Sequence, residues 1–194
     1  MSTMEQVKAL REKTGGGIVE VKKALDEAKG DEAKALEILK KRGEAKALKK
    51  TDRTAGEGVV VSYIHSNKRV GTLLTLLCET DFVGRNEEFQ TLAHDLAMHV
   101  TAMAPSYIRP EDVPADLVAS ERNIWEAQVA AEGKPQEIVE RILAGKEKKF
   151  REEQALLTQP FVKDSTKTVQ ELITEKIHRI GENIQIGRFD RFEI

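Results

Sequence analysis

An apolar run that stops at a turn and leads at once into a helical pattern is the feature that most limits how this chain can fold. The run predicts a strand buried on both faces, because its apolar residues do not alternate with polar ones. Its members are Leu73, Leu74, Leu76, Leu77 and Cys78. Beyond the turn, Asn86 is a typical helix cap, and apolar residues recur at the spacing of one helix face. They are Phe89, Leu92, Ala93, Leu96, Val100 and Met103.

The turn itself can present two chemically useful side chains. Gly84 can take the positive backbone angle that tight turns often need, and such a turn would direct Asp81 and Phe82 outward. Spacing alone favours another interpretation, in which Phe82 folds into the core and Asp81 caps the helix, because most Phe side chains are interior. The pattern alone therefore leaves the exposure of this pair open.

The composition indicates a largely helical protein, long enough for one core and a small appendage. Charged residues make up 33% of the 194 positions and aromatic residues 5%, which fits helices with solvated faces. The formal net charge of -2 provides no global field for a nucleic acid or an anionic membrane. No run approaches the ~20 apolar residues of a membrane span, and the first residues do not resemble a secretory signal, so we expect a soluble protein.

Cys78 is the single cysteine of the chain. One cysteine excludes an intramolecular disulfide and fits a reducing compartment. Because Cys78 lies in the apolar run, we expect a small buried hydrophobic residue and not a nucleophile.

Residues 1–43 carry three short helical patterns separated by glycines. The predicted boundaries are a capping box of Ser2 and Glu5, the glycines 15–17, Gly30, Asp31 as a cap, and Gly43. So small a bundle is stable only if its apolar side chains meet in one core. Ile18 and Val19 are adjacent and cannot both face that core, so we expect one to be exposed, either as an ordinary surface residue or as part of a contact patch.

Residues 44–56 lose the long apolar side chains and gain charge, which indicates a helical tail passing into a linker. The lysines between positions 40 and 50 could suggest RNA binding. A solvated linker face is the favoured interpretation, because no aromatic residue stands among the lysines to stack on a base.

Residues 57–194 predict a core domain with an antiparallel sheet, and hence an α+β fold. Two strands near 58–65 and 69–80 form a hairpin, which needs a third partner because an isolated hairpin is marginal in water. We expect that partner near 183–194, where apolar residues share one parity of an extended segment. These residues are Ile184, Ile186, Phe192 and Ile194.

A long helical excursion over residues 112–160 separates the hairpin from the last strand. Its first helix, about 116–131, carries Leu117, Ile124, Ala127, Val129 and the single Trp125. Gly133, Lys134 and Pro135 stop this helix and start the next, in which Ile138, Ile142 and Leu143 are apolar. Alternating charges over 146–153 indicate an exposed face of ion pairs. Residues 159–162 break the excursion, and a last helix covers 168–180.

No pattern in the chain indicates a metal site or an enzyme. His94 and His99 are five positions apart on one predicted helix, whereas two ligands on one helix usually stand at i and i+4. His65 and His178 have no acidic or cysteine partner at ligand spacing. The glycines 15–17 follow a helix and not a strand, so they do not fit a phosphate-binding loop, and no nucleophile motif is present.

Several motifs of the chain are similar to those of one known family. They are LREKTGGGIV at 10–19 with VKKAL at 21–25, TDFV at 80–83 before Arg85 and Asn86, GKP at 133–135, QPFV at 159–162, and GENI at 181–184 after Ile180. In order and spacing they resemble the bacterial elongation factor Ts family from end to end, in its short form with one core unit. Gly16 departs from the Ala that members more often carry.

The resemblance implies a fold and a function. It implies that residues 1–43 form a ubiquitin-associated-like (UBA-like) module. It also implies a cytoplasmic translation elongation factor that acts as a guanine-nucleotide exchange factor, without covalent chemistry or a cofactor. Such a factor binds elongation factor Tu with its GDP, disturbs the magnesium site of that partner and promotes GDP release.

The resemblance also assigns partner-binding residues. Thr80, Asp81, Phe82 and Val83 would enter the GTPase domain of elongation factor Tu, with Phe82 as a wedge beside the magnesium region and Asp81 disturbing the metal contacts. Other positions that match contact positions of the family are Arg11, Ile18 and Val19 for the same domain, and His65, Ile180 and Gly181 for the third domain of the partner.

With one core unit, a single subunit is not expected to reach both partner surfaces, so the resemblance predicts a homodimer in a 2:2 complex, with no direct contact to nucleic acid or membrane. Two alternatives remain open. One is a binding module whose first helices hold a ubiquitin-like or translation-associated protein. The other is an RNA-binding protein, which would show a steep dependence of binding on salt.

Overall fold

The computed structural model describes residues 3–14, 16–130 and 135–194 and has an α+β fold. The helices are α1 Met4–Thr14, α2 Ile18–Glu27, α3 Glu32–Leu48, α4 Asp81–Gly84, α5 Glu87–Met103, α6 Ala115–Ala130, α7 Gln136–Gln154 and α8 Val169–Ile180. The strands are β1 Glu57–Ile64, β2 Val70–Cys78, β3 Pro160–Phe161, β4 Asp164–Thr168 and β5 Gln185–Glu193. The predicted stop at Gly133 and Lys134 lies outside the described residues.

The main sheet has three antiparallel strands in the order β1-β2-β5. The prediction that the last strand completes the hairpin is therefore confirmed. β2 is not buried on both faces as predicted: Leu74 and Leu76 are buried, whereas Leu73 is largely exposed. A sheet with one covered face requires this alternation, and the extra leucines hid it. The four apolar residues of the last segment differ in burial: Ile184 and Ile186 are buried, whereas Phe192 and Ile194 are exposed.

The chain forms two compact units. Unit 1 consists of residues 1–61, 75–93 and 171–187, and unit 2 of residues 62–74, 94–170 and 188–194. The first three helices belong to unit 1 and share a core of small and branched apolar side chains. Its buried members are Val7, Leu10, Val21, Ala24, Leu25, Ala28, Ala35 and Leu39.

Three helix boundaries in unit 1 refine the sequence predictions. Asp31 caps α3 as predicted, since its Oδ1 accepts a hydrogen bond from the Lys34 backbone N–H at 3.1 Å; this bond lowers the pKa of its carboxyl. A capping box joins Thr3 and Gln6, one position beyond the predicted Ser2 and Glu5, and Ser2 lies outside the described residues. α3 continues past Gly43 to Leu48 because the following residues, rich in Ala and Lys, are good helix formers.

Unit 2 contains the helical excursion and a short hairpin that sequence reasoning missed. α6 buries Val118 and Val129, whereas Leu117 and Ile124 are exposed. The predicted ion-pair face of α7 is confirmed, for example by Arg151 and Glu147 at 3.1 Å. β3 and β4 pair antiparallel where a simple break was predicted, because β3 has only two residues and all five residues of β4 are polar, so neither shows an apolar strand period.

Candidate functional site

The turn after β2 is a single helical turn capped by a threonine. The Thr80 hydroxyl oxygen accepts a hydrogen bond from the Val83 backbone N–H at 3.4 Å, so Thr80 and not Asp81 is the N-cap of α4. Gly84 has a helical backbone angle, which corrects the prediction of a positive angle there. An added Cβ would make only an ordinary contact there, 3.5 Å from the Gly58 carbonyl oxygen, so neither the backbone angle nor the space requires glycine. Asn86 caps α5 as predicted, accepting from the Glu88 N–H at 2.8 Å.

Asp81 and Phe82 both point to solvent from α4. The side chain of Phe82 is 81% exposed, an unusual position for a large aromatic residue. The Asp81 carboxylate lies 3.0 Å from the Arg85 guanidinium and is about half exposed. Such surface ion pairs hold little free energy, about 0–1 kcal/mol, so the carboxylate can exchange this partner for another. The interior interpretation of Phe82 is therefore wrong, and the turn presents a ring and a carboxylate side by side.

Glu182, just beyond α8, holds the same turn from a distant part of the chain. One oxygen of its carboxylate accepts from the Glu79 and Thr80 backbone N–H groups at 3.1 and 3.0 Å. The other accepts from the Thr80 hydroxyl at 2.7 Å. Sequence reasoning missed this residue as a site residue. The motif GENI contains it, but no local pattern links it to a turn 102 positions earlier.

A groove of about 660 Å³ in unit 1 collects several of the predicted site residues. It is lined by Lys8, Arg11, Glu12, Val83, Asn86, Glu88, Arg179 and Ile180. Arg11, Val83 and Ile180 were expected to bind a partner, and the structure brings them to one surface. Glu88 forms ion pairs with Lys176 at 2.6 Å and Arg179 at 3.1 Å. Lys8 and Arg11 add two positive charges to the lining of the groove.

Ile18 and Val19 begin α2 and are both exposed, by 51% and 69%. The expectation was that one of them would be exposed. Both escape burial because they lie in the first helical turn, before the buried stripe starts at Val21. The preceding Gly17 gives the helix no side-chain cap, and the first turn is tied to α3 by the ion pair of Glu20 with Lys46 at 2.8 Å.

Ile180 and Gly181 end α8. Ile180 is half-buried, and Gly181 adopts a positive φ of 93°, a conformation that favours glycine. The Lys50 ammonium donates to the Gly181 carbonyl at 2.6 Å. Burial lowers the pKa of Lys50, and the nearby charge of Arg53 lowers it further. The helix end is thereby tied to the segment that follows α3.

His65 belongs to unit 2 and lies at the end of the β1–β2 hairpin. Its Nδ1 is 3.3 Å from the Tyr63 hydroxyl, and its imidazole is exposed. The Tyr63 ring also contacts the edge of His94, with centroids 5.5 Å apart. The predicted site residues thus belong to both units, with His65 in unit 2 and the others in unit 1.

Outside the turn and the groove, the described residues include a buried histidine, His99, and a buried cysteine, Cys78. Among the described residues, no three His, Cys, Asp or Glu side chains converge as metal ligands. His99 is fully buried and bonds to Gln159 and to the Val162 backbone, and burial lowers its pKa. Cys78 is buried as predicted, and burial raises the pKa of its thiol, which disfavours the reactive thiolate. In the described part of the chain, no helix has the length and apolarity to cross a bilayer.

Comparison with known proteins gives a consistent result over the whole chain. The family model described as Elongation factor TS matches residues 4–194. Elongation factor Ts of Acetivibrio thermocellus is 54% identical over 193 residues, which cover 100% of this chain and 90% of that protein. Those of Thermosipho melanesiensis and Moorella thermoacetica are 49% and 50% identical over 194 residues, covering 99% and 96% of their lengths. The chain therefore belongs to the elongation factor Ts family.

Proposed function

We propose that this chain is a guanine-nucleotide exchange factor for elongation factor Tu. Membership of the elongation factor Ts family implies a role in translation elongation. The observation that carries the finer proposal is the 81% exposure of Phe82 on a turn held by hydrogen bonds. A large ring kept in water on a fixed turn is more useful for entering a partner than for stabilising its own fold.

In the proposed mechanism the partner is remodelled and no covalent bond changes. The factor binds the nucleotide-free partner more tightly than the nucleotide-bound one, and the difference weakens nucleotide binding. Phe82 enters the GTPase domain beside its magnesium region, and Asp81 competes for the groups that hold the metal. Thr80 and Val83 frame this turn. Because Mg²⁺ neutralises phosphate charge at close range, its displacement loosens GDP.

The energies fit a wedge supported by further contacts. Each tenfold weakening of nucleotide affinity requires about 1.4 kcal/mol of differential binding. A desolvated Phe anchor contributes ~2 kcal/mol or more, which covers one or two decades. Other contacts must supply the rest. We assign them to Arg11, Ile18 and Val19 against the GTPase domain and to His65, Ile180 and Gly181 against the third domain of the partner.

We further propose that the first three helices form a UBA-like module and that two chains assemble with two partners. The module proposal is supported by three short helices around one apolar core, with Ile18 and Val19 left exposed. The dimer proposal is supported by exposed apolar side chains of unit 2, among them Ile64, Leu73 and Ile194. We place this cofactor-free factor in the cytoplasm, where its proposed partner acts, without direct contact to nucleic acid or membrane.

The direct test is the release of fluorescently labelled GDP from elongation factor Tu. We expect catalytic amounts of the chain to accelerate release, with a rate that saturates as partner concentration rises, and added Mg²⁺ to oppose the effect. A simple binding module would form a complex without accelerating release. If no acceleration occurred although the complex formed, the proposed exchange activity would be wrong.

A further inference from the structure

Thr80 has all of its polar groups engaged, although it lies on a surface turn. Its backbone N–H and hydroxyl donate to Glu182, and the hydroxyl oxygen also accepts from the Val83 N–H. Its carbonyl accepts from the Gly84 N–H at 3.2 Å and from the Cys78 thiol at 3.1 Å. A residue held at every donor and acceptor has little freedom, and it directly precedes Asp81 and Phe82.

The carboxylate of Glu182 suits this role chemically. It is an acceptor with two oxygens, so it can take three donors from one direction without offering a competing proton. Hydrogen bonds to a charged acceptor are also about twice as strong as neutral ones. The three bonds run to two successive backbone N–H groups and one hydroxyl, all within residues 79 and 80. They therefore fix the orientation of the chain as it enters α4.

A second carboxylate completes a reciprocal clamp. The Glu79 Oε1 accepts from the Asn183 backbone N–H at 2.7 Å, so each of the two segments supplies a carboxylate to the other. The Asn183 side chain donates to the Arg53 carbonyl at 2.7 Å, and the Glu79 carboxylate lies 3.6 Å from the Arg53 guanidinium. The Glu79 carboxylate therefore holds Asn183, whereas the Glu182 carboxylate holds Thr80.

Preorganisation of the turn has a consequence for exchange. An exposed ring on a mobile turn would lose conformational freedom when it enters a partner, and that loss would subtract from the differential binding. A ring on a turn that is already fixed loses only its own rotamer freedom. Positioning errors of about 1 Å can cost up to about a hundredfold in rate.

We propose that Glu182 is a positioning residue for nucleotide exchange, which holds Thr80 so that Phe82 and Asp81 are presented in one fixed orientation. This inference rests on the proposed exchange function. It differs from the contacts proposed above, because Glu182 acts through Thr80 and need not touch the partner.

The test measures GDP release from elongation factor Tu over a range of factor concentrations. For Glu182→Ala we expect the plateau rate to fall about tenfold or more, while the half-saturating concentration changes less than about threefold. Glu182→Gln retains an oxygen for the two backbone N–H groups and should recover most of the plateau. Glu153→Ala is the control: it removes a surface carboxylate of α7 that pairs with Lys149 at 3.5 Å, and it should keep the wild-type plateau.

A second readout needs no partner. In a chain carrying Phe82→Trp and Trp125→Phe, the fluorescence anisotropy decay reports the motion of the ring at position 82 alone. We expect Glu182→Ala to increase the amplitude of its fast motion and Glu153→Ala to leave it unchanged. Equal motion and equal plateau rates for Glu182→Ala and the wild type would overturn the inference.

The two readouts separate the inference from the function on which it rests. If Phe82→Ala released GDP at the wild-type rate, the wedge would be wrong, while the anisotropy would still decide whether Glu182 orders the turn. If Phe82→Ala lost activity and Glu182→Ala did not, the exchange function would stand and the positioning role would fall.

Discussion

Glu182 and His99 each accept hydrogen bonds from backbone N–H groups, but the aromatic residues of the two segments that they hold differ in exposure. In unit 1, the Glu182 carboxylate accepts backbone N–H groups and holds a turn whose aromatic residue faces solvent. In unit 2, the His99 imidazole accepts the Val162 N–H at 3.1 Å and bonds to Gln159, but the aromatic residue beside it, Phe161, is buried. A side chain that satisfies the backbone therefore does not by itself indicate function. The two segments differ in whether the aromatic side chain faces solvent, as Phe82 does, or is buried, as Phe161 is.

We expect the largest loss of stability at Gly58, where β1 contacts the turn that carries Phe82. Gly58 has a φ of 150°, and an added Cβ would lie 2.2 Å from the Leu76 carbonyl oxygen. We expect Gly58→Ala to destabilise the fold by more than about 3 kcal/mol, because a clash with backbone adds to an unfavourable φ. Thermal unfolding checks this, with Gly56→Ala as the control because its Cβ would meet no neighbour within 4 Å. Equal unfolding temperatures for the two variants would contradict the geometry.

The structural role of His99 predicts a loss of stability without a loss of exchange. His99→Leu has a similar size but leaves the Val162 N–H and the Gln159 Oε1 without their histidine partner, so we expect a cost of about 2–4 kcal/mol. The plateau rate of GDP release should stay within about twofold of the wild type at a temperature where the variant is folded. His94→Gln, on the exposed face of the same helix, should change stability by less than about 0.5 kcal/mol. A large fall in the plateau for His99→Leu would give that region a functional role.

The same residue predicts a dependence of stability on pH. Burial lowers the pKa of His99 below its usual 6.5, and burial also lowers that of His178. A lowered histidine pKa means that the unfolded chain binds protons more readily. The contribution is therefore complete above about pH 6.5 and is lost as pH falls from there towards the folded-state pKa.

Each such group can reduce stability by at most about 1.4 kcal/mol per pH unit in that window. Urea unfolding at pH 7.5, 6.5 and 5.5 measures the effect. In His99→Leu the slope should shrink to the part contributed by His178 and the carboxyl groups. An identical slope in variant and wild type would show that His99 does not titrate with folding.

Much of the architecture follows from local patterns, and the exceptions share a cause. The helix cap at Asn86 was predictable because a cap is a local signal, and the return of the last strand was predictable because an isolated hairpin needs a third strand. The clamp on Thr80 was not, because the Glu182 and Thr80 contact spans 102 positions. Gly84 misled because glycine permits a positive backbone angle without requiring one, and here it lies in a helical turn with room for an added Cβ.

The candidate site shows the same limit. Phe82 is exposed, as the family resemblance implied and spacing alone did not. Arg11, Val83 and Ile180 line one groove, although Arg11 and Ile180 are 169 positions apart in the sequence. Lys8 and Arg179 line it too, and neither stood out in the sequence, because a single charge on a helix surface is the commonest of patterns.

The most direct test of the central claim is the plateau rate of GDP release from elongation factor Tu with Phe82→Ala. Because the ring is 81% exposed, its removal should leave the unfolding temperature nearly unchanged. We expect the plateau to fall between about tenfold and a hundredfold. Ile138→Ala, which truncates an exposed apolar side chain on α7, should keep the wild-type rate. Release at the wild-type rate by Phe82→Ala would contradict the account.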